Sequence, residues 1–164
     1  MGQLDALSNQ ISFATDGDQY LTFALGDEEY AVEILKVQEI RGYSAITPIP
    51  NTPPYIKGVM NLRGTIVPVV DLRAKLGMAA TEYTPFTVII VVTVGTRVMG
   101  VVVDAVSDVL NIPRADIQPT PDFGGAVDAE FMTGMAKAGD KLVVLLDIDA
   151  VLGGTSAVLA PATS

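Results

Sequence analysis

Ile56-Lys57-Gly58-Val59-Met60-Asn61-Leu62-Arg63-Gly64-Thr65-Ile66-Val67-Pro68-Val69-Val70-Asp71-Leu72-Arg73 is the stretch from which the architecture of this chain is read. Two runs with strand composition, around Val59 to Leu62 and Ile66 to Val70, flank the cationic turn Asn61-Leu62-Arg63-Gly64. The stretch recurs downstream. Laying Gly58 on Gly134 places Ile66 on Leu142, Val67 on Val143, Val69 on Leu145, Asp71 on Asp147 and Leu72 on Ile148. Upstream, laying Gly26 on Gly95 places Val32 on Val101, Ile34 on Val103, Val37 on Val106, Glu39 on Asp108 and Ile40 on Val109. The chain is an internal duplication whose second copy has a longer connection between Leu110 and Phe131.

Each copy repeats one grammar. A strand (Tyr20 to Leu25; Phe86 to Val94), a turn rich in glycine and charge, and a second strand (Tyr30 to Ile34; Val98 to Val103) make a hairpin signature. A proline-bearing connection follows, then a second strand pair and a short helical turn from Asp71 or Asp147. Many short strands separated by turn signals predict a mainly β fold of small closed or nearly closed barrels, which solve the edge-strand problem by pairing. The expected division is barrel one at about 20–80 and barrel two at about 86–152, within a body of 18–152. A flexible N-terminal segment, 1–17, and a flexible tail, 153–164, are expected on either side.

The composition excludes several classes of function. A chain of 164 residues, 49% hydrophobic and 18% charged, buries a proper core. A net charge of −9, with ten scattered Lys and Arg, argues against nucleic acid. There is no Cys and no His, so the thiolate nucleophile, the commonest general base and the commonest transition-metal ligand are all missing. No phosphate loop, nucleophile elbow or kinase glycine loop occurs. Asp147-Ile148-Asp149 and Asp104-Ala105-Val106-Ser107-Asp108 lack the further oxygen ligands of a hard-cation site. The expectation is a protein without catalysis, cofactor or metal. The N-terminal region lacks a basic segment followed by an apolar run, and the β-branched runs are too short to span a bilayer as helices.

The duplication serves as its own control. Gly58 and Gly134, kept in both copies, are expected at positive φ or close packing, and Asp71 and Asp147 as helix N-caps. Arg63 has Gly139 as its counterpart, so a barrel forms without the arginine, which is free to serve a partner. Alternation over Val37 to Arg41 puts Val37, Glu39 and Arg41 on one strand face, either a mixed recognition patch or an ordinary exposed face. Ile34 and Leu35 break the alternation, so one is expected at a barrel end. Phe123, a lone aromatic in Pro121-Asp122-Phe123-Gly124-Gly125, reads equally as a partner anchor or as a ring tucked against its own barrel.

From about Tyr20 to Leu152 these segments, above all Asn61-Leu62-Arg63-Gly64 and Glu39-Ile40-Arg41-Gly42, resemble the CheW family of chemotaxis coupling proteins. The resemblance implies two SH3-like five-stranded β-barrels and a non-catalytic adaptor between transmembrane chemoreceptors and the histidine kinase CheA. Its place would be the cytoplasm, recruited to membrane-bound receptor clusters without inserting into the membrane. It implies a receptor-facing set of Val37, Glu39, Arg41 and Arg63, with a Glu39–Arg63 ion pair. It also implies that Leu21, Ile34, Leu35 and Val37 at the end of the first barrel meet the regulatory domain of CheA, and that Phe123 makes a second kinase contact. The alternative is an SH3-like peptide-binding module in another signalling pathway.

Overall fold

The structure, a computed structural model, describes residues 17–43, 46–79, 82–119 and 131–158. In chain order it runs β1 (Gly17–Leu25), β2 (Glu28–Glu33), a 3-10 turn (Ile34–Lys36), β3 (Val37–Gly42), β4 (Ile56–Leu62), β5 (Thr65–Asp71) and α1 (Leu72–Lys75). The second copy supplies β6 (Val88–Val94), β7 (Arg97–Val103), β8 (Ala105–Pro113), a 3-10 turn (Arg114–Asp116), β9 (Met132–Ala138), β10 (Lys141–Leu146) and α2 (Ile148–Val158).

Strand pairing reproduces the duplication residue by residue. Leu21 faces Val109 across β1 and β8, and its counterpart Ile90 faces Ile40 across β6 and β3. Leu145 pairs in parallel with Ala31, and Val69 with Gly100. The sheets, however, are built across the copies: one is ordered β8-β1-β2-β10-β9 and the other β3-β6-β7-β5-β4. The expected boundaries, 20–80 and 86–152, are therefore corrected. Each barrel takes a hairpin from one copy and three strands from the other.

The short connections explain the exchange. Asp104 alone joins β7 to β8, and its flanking residues lie at most about 7 Å apart. To pair with the far edge of its own β6, β8 would have to cross two strand spacings, about 10 Å. Instead β7–β8, and β2–β3 through Ile34–Lys36, run as bent strands that leave one sheet and enter the other.

Each sheet closes on itself through an isolated bridge, Thr47 with Val59 and Gln118 with Met135. Gly58 (φ 143°) and Gly134 (φ 158°) sit beside these closures, and a Cβ on Gly58 would lie 2.0 Å from the Thr47 carbonyl oxygen. Both glycines are required by close approach. Asp71 and Asp147 cap α1 and α2, accepting from the amides of Ala74 and Ala150.

Three apolar clusters result. Met60, Val67, Val69, Ile89 and Val91 fill one barrel, and Tyr20, Ala31, Ile112, Val143 and Leu145 fill the other. The largest lies between the sheets and joins Leu21, Phe23 and Tyr30 to Ile90, Met99, Val101, Val151 and Leu152. The tail expected from 153 is corrected as well, because α2 continues to Val158. Gly153-Gly154 lowers helix propensity, yet the Asp147 cap and the buried Val151 and Leu152 anchor the helix. The remaining tail residues, 159–164, and the N-terminal segment up to 16 lie outside the described residues.

Candidate functional site

β4 and β5 pair up to Leu62 and Thr65, which leaves a two-residue loop of Arg63 and Gly64. Their φ angles, 52° and 89°, are both positive, as a type I′ hairpin turn demands. Asn61 Oδ1 accepts from the Gly64 amide at 2.8 Å and fixes the turn from one side. The other three tight hairpins among the described residues place Gly26 (φ 63°), Gly95 (φ 62°) and Gly139 (φ 65°) at the first loop position. Arg63 alone of the four carries a side chain there, in a region that costs an L-residue about 1 kcal/mol.

The guanidinium reaches across the barrel closure. Arg63 Nη2 lies 2.6 Å from Glu39 Oε2, and Arg41 Nη1 lies 3.5 Å from Glu39 Oε1. Glu39 and Arg41 belong to β3 and Arg63 to the β4–β5 turn, so the pair spans the two edges of one sheet. The hydrogen bond from Arg63, more than any other contact, holds the Glu39 carboxyl below the usual carboxylate range and raises the Arg63 guanidinium in turn. The Arg63 side chain remains 65% exposed, so its charge stays available at the surface.

The expected single face of Val37, Glu39 and Arg41 is corrected: the register shifts between Val37 and Glu39, so Val37 stands opposite Val92 of the central core while Glu39 and Arg41 stand opposite Val91 and Ile89 on the other face, all three half-buried with Gln38 and Ile40 exposed. Val37 and Ile34 pack against the central core, while Leu35, in the 3-10 turn, is 89% exposed. Leu21 is a correction: at 2% exposure it points into the core between the sheets and offers no surface to a partner. Phe123 lies outside the described residues.

Residues 19–155 match the CheW-like domain family. This chain belongs to that family. It is 47% identical over 147 residues to the chemotaxis protein CheW of Klebsiella aerogenes, covering 90% of this chain and 89% of that one. To the chemotaxis protein CheW of Rhizobium meliloti it is 43% identical, covering 88% and 94%. Among solved structures it resembles the crystal structure of the scaffolding protein TtCheW from Thermoanaerobacter tengcongensis at a TM-score of 0.77 and 33% identity, over 83% of this chain and 88% of that one.

This CheW-like chain also exposes apolar residues that the reading of the sequence passed over: Ile66 on β5, its counterpart Leu142 on β10, and Phe86 before β6. Period-two alternation held the signal for the first two, because inward Val67 and Val143 force their neighbours outward. Among the described residues, no helix is long and apolar enough to cross a membrane.

Proposed function

We propose that this chain is a non-catalytic adaptor that couples chemoreceptors to the histidine kinase CheA, holding a receptor cytoplasmic tip and the kinase regulatory domain at once. The observation that carries this reading is Arg63, an exposed cation kept at φ 52° where the other three tight hairpins among the described residues use glycine and tied to Glu39 at 2.6 Å. A strained, solvated arginine that the barrel does not require is retained for a contact outside the chain. Val37, Glu39, Arg41 and Arg63 form the receptor-facing set. Leu35, with half-buried Ile34 and Val37 beside it, supports the kinase contact.

Coupling is geometric. Two partners fixed on one rigid double barrel influence each other only through differential affinity for the active and inactive arrangements of the kinase, as linkage requires. The adaptor acts in the cytoplasm at receptor clusters.

The test is co-capture of a receptor cytoplasmic tip and the CheA regulatory domain by the full chain. A ternary complex is expected, with Arg63→Glu lowering receptor affinity and sparing the fold. Mutually exclusive binding, or failure to bind either partner, would overturn the reading.

A further inference from the structure

The duplication supplies a template for a site that the adaptor reading does not use. In one copy, Tyr83 sits against Asp71 and Lys57: its hydroxyl donates to Asp71 Oδ2 at 2.8 Å, and Lys57 Nζ lies 5.0 Å from the ring centroid. Tyr43 meets the same ring edge-on at 4.5 Å. The counterparts of Asp71 and Lys57 in the other copy are Asp147 and Thr133. There, both stand in the wall of a cavity of about 310 Å³, together with Tyr20, Glu33, Lys36 and Asp149.

The two aspartates do the same local work. Each uses Oδ1 to cap its helix, at 3.4 Å for Asp71 and 3.2 Å for Asp147. Asp71 spends its second oxygen on the phenol of Tyr83, whereas among the described residues none donates to the second oxygen of Asp147, a residue of the cavity wall. In the same wall Asp149 Oδ2 accepts from Lys36 at 2.7 Å, and Asp149 Oδ1 is buried without a hydrogen-bond partner. Such an acceptor is costly to leave unmet. The chain has five tyrosines, at 20, 30, 43, 55 and 83, and none after Tyr83. It therefore holds no second phenol that follows Asp147 as Tyr83 follows Asp71.

We propose that this cavity binds a tyrosine side chain presented by a basic segment of another protein, its hydroxyl donating to Asp147 Oδ2 as Tyr83 donates to Asp71. A volume of about 310 Å³ has room for an aromatic side chain. Among the described residues of the wall, Glu33, Asp147 and Asp149 outnumber Lys36, which favours lysine or arginine beside the tyrosine and disfavours a phosphorylated ring.

The experiment is an NMR titration of the full, isotope-labelled chain with an acetylated, amidated lysine-tyrosine-lysine peptide. Amide shifts centred on Thr133, Leu146 and Asp147 are expected. A phenylalanine version should bind about tenfold more weakly, and a phosphotyrosine version more weakly still. Asp147→Asn keeps a competent cap and should weaken the tyrosine peptide by about tenfold, while Asp71→Asn should not. If circular dichroism shows Asp147→Asn unfolded, Glu33→Lys takes its place and should weaken the basic peptide by charge repulsion. Shifts centred elsewhere, equal binding of the phenylalanine peptide, or unchanged affinity in the folded variant would overturn the proposal. So would N-acetyltyrosinamide binding as tightly as the peptide, which would mark a small-molecule site.

Discussion

Arg73 donates to both carboxylate oxygens of Asp104, at 2.9 and 2.7 Å, and the repeat-related joint reverses the charges, with Asp149 accepting from Lys36 at 2.7 Å. Both pairs stand at the bends where the chain passes from one sheet to the other. They differ in burial: Arg73 and Asp104 are 15% and 27% exposed, Lys36 and Asp149 33% and 45%. Asp104 also accepts from the Gly26 amide at 2.8 Å, which ties in the β1–β2 turn. Asp104→Ala should therefore cost about 2 kcal/mol, since it strands a half-buried guanidinium and an amide. Asp149→Ala should cost less than about 1 kcal/mol. Urea denaturation of the two variants checks the order.

The same joint sets an acid limit. Arg73 first, and the Gly26 amide after it, hold the Asp104 carboxyl below the ordinary aspartate value. A carboxyl depressed in the folded state contributes stability above its unfolded pKa, about 3.9, and loses it as pH falls through the folded value. Asp104→Asn should remove that part of the stability loss below about pH 4, measured as a shallower fall of melting temperature on acidification.

Arg63→Gly should leave stability unchanged or raise it slightly. Relief of the positive φ, about 1 kcal/mol, offsets the loss of a solvent-screened ion pair. Arg63→Ala removes the ion pair without relieving φ and should lie within about 0.5 kcal/mol of the parent, at or below Gly. Receptor-tip affinity should fall in both. A large drop in melting temperature with unchanged affinity per folded molecule would make Arg63 a turn residue and nothing more.

Gly58→Ala should be among the most damaging single changes in the chain, costing about 3 kcal/mol or more, because the new methyl would lie 2.0 Å from a backbone oxygen that cannot give way. Gly64→Ala meets nothing within 4 Å and pays only for its φ of 89°, about 1 kcal/mol. Thermal melts of the pair separate steric closure of the barrel from turn conformation.

Leu21→Ala should destabilise by about 2 to 5 kcal/mol, as large-to-small changes in a close-packed core do. Leu35→Ala, at 89% exposure, should change stability by less than about 0.5 kcal/mol. A kinase-binding defect in the first variant should follow its loss of fold, and one in the second should appear at full stability; calorimetry beside the affinity measurement distinguishes them.

The sequence by itself determined the duplication, the tight hairpins, the caps at Asp71 and Asp147, and the special glycines Gly58 and Gly134. Each of these follows from local chemistry: a positive φ, a capping carboxylate, a two-residue period. Tertiary structure alone decided which strands share a sheet. Repeat-equivalent contacts have the same register whether made within a copy or exchanged between copies, so hydrophobic pattern and spacing are identical for both. The choice lies in the reach of the Asp104 and Ile34–Lys36 bends and in the core that the exchange creates between the sheets. Leu21 was misplaced for the same reason: strand periodicity gives the face on which a side chain lies, and only the packing of the second sheet against that face turns it from surface into core.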